Sequence, residues 1–136
     1  MTISTDEGDT ELNIATRLSD SNLAREALRE GCDVNAVGRC GWTPLHEAAS
    51  VGNTELTLLL LNAGADPNLQ DAFQKCTPLH LAAENGKLTV VKLLVKNGAK
   101  LNLRDVKRKT PIDVAEGECK RFLQSKRELL ILTLII

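Results

Sequence analysis

Two histidines, His46 and His80, and four cysteines, Cys32, Cys40, Cys76 and Cys119, are the side chains of this 136-residue chain best suited to hold a metal or move a proton. Their spacing supports neither role. The cysteines form no CxxC pair and lack the separations that a zinc site or a compact disulfide framework needs. HExxH, GxSxG and glycine-rich phosphate loops are also missing from the sequence. No residue stands out as a catalyst, and no cofactor, metal or small-molecule substrate is implied. The cysteines read as reduced thiols of a cytoplasmic or nuclear protein.

Both histidines close a four-residue motif. Thr43-Pro44-Leu45-His46 returns as Thr77-Pro78-Leu79-His80 and again as Thr110-Pro111-Ile112-Asp113, at spacings of 34 and 33 residues. A second motif keeps the same period, with Gly31, Gly64 and Gly98 each four residues ahead of Asn35, Asn68 and Asn102. Each Thr is suited to cap a helix whose first position is Pro, where the missing N–H costs nothing. Short helices are therefore expected from Pro44 and Pro78, through Ala48-Ala49 and Ala82-Ala83, to Gly52 and Gly86. A second helix follows in each unit, over 55–62 and 89–97, with Leu56, Leu59 and Leu60 or Val90, Leu93 and Leu94 at helical spacing. The stretches 68–76 and 102–109 remain as projecting turns. The first of these has one residue more before its Thr than its counterpart from Asn35, 9 against 8, so it should bulge at Ala72 and Phe73.

This T-P-L-H-x-A pattern at a period of about 33 residues resembles the ankyrin repeat, over residues 11–126. The resemblance implies an all-α solenoid of helix-turn-helix units with projecting β-turn or hairpin fingers. It divides the chain into a disordered acidic lead-in (1–10), an N-terminal capping repeat (11–34), two full repeats (35–67 and 68–101), a C-terminal capping repeat (102–126) and an apolar tail (127–136). In that family the imidazoles of His46 and His80 would tie neighbouring turns together. The family's glycine two residues before the Thr is present as Gly41, but Lys75 and Arg108 stand at the equivalent positions, where strain or another turn type is expected.

The implied function is non-catalytic binding of another protein through the concave face of first helices and fingers. By resemblance, the variable contact positions are Arg39, Glu47, Ser50 and Val51 in the second unit, with Gln74, Lys75, Leu81, Glu84 and Asn85 in the third. Trp42, the single Trp, is either a contact or a packing residue of the adjacent turn, and Phe73 at the longer finger is the best anchor. Leu58 points to a secondary contact or an isolated exposed leucine. Lys107-Arg108-Lys109 on the last finger admits a solvated tip, an acidic protein segment or nucleic acid.

The formal net charge of −1 conceals a division, −8 over residues 1–71 and +7 over 72–136. Nucleic acid is disfavoured because the whole chain is not basic and aromatic residues do not interleave the basic ones. The polar, acidic start is unlike a signal peptide. Residues 129–136 (LLILTLII) are too few to span a bilayer, which takes about 20. That tail is expected to cover the last repeat's apolar face; docking, self-association into a homo-oligomer, or continuation into a longer protein are the alternatives. A further resemblance, of the sequence from Gly41 to Ala48 to repeats that hold histone tails through Trp and Glu, makes a histone-tail or acidic-peptide reader a minor reading.

Overall fold

Thr43, Thr77 and Thr110 each adopt an extended backbone and accept a hydrogen bond from the N–H three residues on, so a helix begins at the proline that follows. The computed structural model describes residues 9–38 and 41–135; residues 1–8, Arg39, Cys40 and Ile136 lie outside the described residues. The described chain is built of helices and loops, with no strand among those residues. The helices are α1 (Glu11–Arg17), α2 (Ser21–Arg29), α3 (Pro44–Val51), α4 (Thr54–Asn62), α5 (Pro78–Glu84), α6 (Leu88–Lys96), α7 (Pro111–Val114) and α8 (Gly117–Ile135).

They form two rows. The first helices α1, α3, α5 and α7 pack each on the next, and the second helices α2, α4, α6 and α8 do the same behind them. Leu12, Leu45, Leu56, Leu60, Leu79, Leu94 and Leu123 are fully buried between the rows, with small residues such as Ala15, Ala48 and Ala82 letting backbones approach. Truncating one of these leucines to alanine costs about 3 kcal/mol.

The histidines lock unit to unit, as the resemblance implied. His46 Nδ1 accepts from the Thr43 N–H at 3.2 Å, which leaves the proton on Nε2 to be donated to the Cys76 carbonyl at 2.8 Å. His80 repeats this with Thr77 at 3.1 Å and Lys109 at 2.9 Å. Each imidazole thus caps its own helix and grips the finger of the following unit. Asp113 stands at the third such position and bonds locally, to Thr110, accepting from its N–H at 2.9 Å. Those Thr110 bonds hold its carboxyl below the usual carboxylate range.

Two boundaries differ from expectation. Thr10, placed in the lead-in, is the N-cap of α1, and Asp9 is buried, so order extends at least to residue 9. Thr10-Glu11-Leu12-Asn13 is a degenerate copy of the four-residue motif: Asn13 Oδ1 accepts from the Thr10 N–H at 3.0 Å, and its Nδ2 donates to Ala36 O at 3.1 Å. At the other end α7 has only four residues, Ala115 is extended, and α8 runs unbroken across the expected boundary at 126. The tail therefore prolongs the second helix instead of folding over the last unit. Leu129, Leu130, Ile131, Leu132, Leu134 and Ile135 are all exposed.

Candidate protein-binding surface

Each finger is closed by one backbone pair: Gly38 N–H to Trp42 O, Asp71 N–H to Cys76 O, and Asp105 N–H to Lys109 O, each 2.9 Å. Numbered by the repeat each one opens, these are the second, third and fourth fingers; five steps separate the pair in the third (68–76) and four in the other two, so the additional residue lies at the tip, as the sequence indicates. Asp71 and Asp105 shape their tips from within. Asp71 Oδ1 accepts from the N–H of Phe73 at 3.1 Å and of Gln74 at 2.6 Å, and Asp105 Oδ1 accepts from Lys107 at 2.8 Å and Lys109 at 3.0 Å.

Lys75 and Arg108 both hold left-handed backbone, with φ of 55° and 62°, where Gly41 has 81°. This conformation costs an L-residue on the order of 1 kcal/mol relative to glycine. The two tips are also joined. Val106 N–H donates to Gln74 O at 2.9 Å, and the Gln70 amide bridges Lys75 O at 3.0 Å and Arg104 O at 2.9 Å.

The expected site residues divide into two groups. Phe73 is 69% exposed, and Gln74, Lys75, Glu84, Lys107, Arg108 and Lys109 are exposed with it. Ser50 is half-buried, its carbonyl accepting from the Asn85 side chain at 3.0 Å, and Val51 is exposed beside it in sequence. Leu58 is exposed on α4.

Two others turn inward. Leu81 is buried in the stack, and Glu47 is buried with its carboxylate 3.2 Å from Arg17, whose other arm reaches Asp9 at 3.1 Å. Trp42 is half-buried; its Nε1 donates to Asp71 Oδ2 at 3.1 Å and its ring stacks on His46 at 6.3 Å between centroids. It buttresses the third finger, and the packing reading of this residue fits that placement. Arg39 lies outside the described residues. Val106, 53% exposed between the basic residues of the fourth finger, was absent from the expected contacts.

No group of three or more His, Cys, Asp or Glu side chains among the described residues is arranged to hold a metal. Burial pushes the Cys76 thiol up to about 11 and raises that of Cys119, and burial lowers the pKa of His46. No helix among the described residues is long and apolar enough to cross a membrane.

Relatives share the stack over part of its length. Human neurogenic locus notch homolog protein 2 is 45% identical over 65 residues, which is 48% of this chain and 3% of that protein. Human mitochondrial disaggregase is 46% identical over 65 residues, 48% of this chain and 9% of its own. The ankyrin repeat, SAM and basic leucine zipper domain-containing protein 1 of Carollia perspicillata is 42% identical over 64 residues, 47% and 14% respectively. The chain thus spans a small fraction of each of these relatives. A family model described as ankyrin repeats in three copies matches residues 1–71 and 56–128, which takes in nearly the whole stack. With its paired helix rows, capping threonines and imidazole locks, the chain belongs to the ankyrin-repeat family, whose members are in general protein–protein interaction modules.

Proposed function

We propose that this chain is a non-catalytic interaction module, an adaptor, scaffold or inhibitor, that receives an acidic segment of a partner protein on its third and fourth fingers. The observation that carries this reading is the pair Lys75 and Arg108. Two cations occupy left-handed backbone positions that glycine would fill more cheaply, at neighbouring tips. Backbone strain of this kind clusters at functional sites.

Around them the surface has the make-up of a binding site. Phe73 and Val106 are large exposed apolar groups on fingers joined by the Val106–Gln74 bond, and the exposed Lys107, Arg108 and Lys109 follow Val106 on the fourth finger. An aromatic anchor gives affinity, and the cationic rim speeds encounter and fixes orientation. The concave side, with Ser50 and Glu84, extends the contact along the first helices. The setting we infer is cytoplasmic or nuclear.

The test is affinity capture from cell lysate with the wild-type chain beside Phe73→Ala/Arg108→Glu, after circular dichroism shows equal helicity and melting. A protein held by the wild type and released by the variant supports the finger surface. The same proteins on both would remove it.

A further inference from the structure

Beyond the fingers, a groove of about 560 Å³ opens between the last three turns of α8, the end of the third unit and the start of the fourth. Leu101, Ile112, Leu130, Ile131 and Leu134 make it apolar. Its charged lining residues are Lys100, Lys126 and Arg127, and no carboxylate is among those that line it. None of the fingertip residues Phe73, Lys75 or Arg108 lines it either, so it is a separate surface.

Helical geometry sorts the end of α8. Lys126, Arg127, Leu130, Ile131 and Leu134 share one face and look into the groove, while Glu128 and Leu132 lie on the opposite side. Lys126 is further placed by the Phe122 ring, 5.7 Å from its ammonium, with Lys92 at the same distance from that ring. Leu130 and Ile131 are 57% and 48% exposed on that face, and a contiguous apolar surface of this kind marks a place where a partner binds.

We propose that this groove docks an amphipathic acidic helix of a partner protein, its apolar stripe against α8 and its carboxylates over Lys100, Lys126 and Arg127. An apolar floor with a wholly cationic rim is complementary to that ligand class. A second copy of α8 is the poorer occupant, because its apolar face carries Lys126 and Arg127 and no carboxylate to meet the groove's cations. The inference is independent of the finger reading.

The probe is a fluorescein-labelled helical peptide of leucine and glutamate, with leucines at i, i+3, i+4 and i+7, titrated by fluorescence anisotropy against the full chain. A control peptide carries lysine for glutamate. The expected result is saturable binding of the acidic peptide only, weakened about tenfold or more by Lys126→Glu/Arg127→Glu, which then takes the lysine peptide instead. Ile131→Asp abolishes binding of the acidic peptide, and Phe73→Ala leaves it unchanged. All four substituted positions are at least partly exposed, and melting curves verify folding. Absence of saturable binding, equal binding of both peptides, or loss with Phe73→Ala would overturn the proposal. So would a wild-type dimer in sedimentation that Ile131→Asp dissociates, which would assign the groove to a second copy.

Discussion

The Phe73 ring lies across Gly41 so closely that a Cβ added at Gly41 would stand 2.8 Å from Cε2 of the ring. Two reasons for glycine coincide there, the φ of 81° and this approach. The aromatic anchor of the third finger is thus seated on the tip of the second while most of its surface stays in water.

Gly41→Ala should therefore destabilise the fold by about 1–2 kcal/mol, the left-handed backbone and the displaced ring both contributing. In the background of Phe73→Ala the penalty should fall, because only the backbone component remains. Urea unfolding of the four proteins of this double-mutant cycle reads the difference, and an unchanged penalty would place the ring elsewhere.

Lys75→Gly and Arg108→Gly should each stabilise the chain, by up to about 1 kcal/mol, since glycine relieves the left-handed backbone at some cost in unfolded-state entropy. Thermal melting measures this. A fall in midpoint would show that the Lys and Arg side chains contribute more to folding than the strain costs. Partner binding should weaken in the same variants.

Burial holds the His46 pKa below its ordinary value of about 6.5. The unfolded chain therefore takes up a proton that the folded chain resists. The His46 contribution is fully present above about pH 6.5 and is lost as the pH falls from there toward the lowered folded value. His46→Asn should lower the melting temperature at neutral pH, because the shorter amide makes a poorer link to Cys76 O, but the variant should lose less stability than wild type between pH 7 and 5. Equal slopes would contradict a neutral, buried imidazole.

Cys76 is buried with its thiol pushed up to about 11, and Cys119 is buried with a raised pKa, whereas Cys32 is half-exposed. Brief alkylation of native protein at pH 8 should label Cys32 well before Cys76 and Cys119, whose labelling should wait for unfolding. Peptide mass spectrometry distinguishes the sites, and early labelling of Cys76 would contradict its burial.

Much of the stack is legible in the sequence because its unit is local: a capping Thr, Pro at the first helical position and a buried His recur where each is needed. The ends are harder for the same reason. Asn13 does the capping and linking work of His46 through a different functional group, and Glu11 replaces proline, so unit 1 carries the motif without its letters. The long α8 contradicts a boundary taken from repeat length; after Gly117 the sequence holds no Gly or Pro to stop the helix.

In the candidate surface, Phe73 and the basic fingertip stand out as an aromatic and a charge run. Val106 does not, since only the Val106–Gln74 bond between fingers reveals its place. Glu47 is drawn inward by Arg17, 30 residues away, a pairing that neither residue announces.

The most direct test of the finger surface is the dissociation constant for the captured partner, measured by calorimetry with wild type, Phe73→Ala and Leu58→Ala, the last on the outer face of α4. Phe73→Ala should weaken binding about tenfold or more, the effect of losing an anchor worth roughly 1.4 kcal/mol, while Leu58→Ala leaves it unchanged. Unchanged affinity in Phe73→Ala with loss in Leu58→Ala would contradict binding at the fingers and move the site to the outer row of helices.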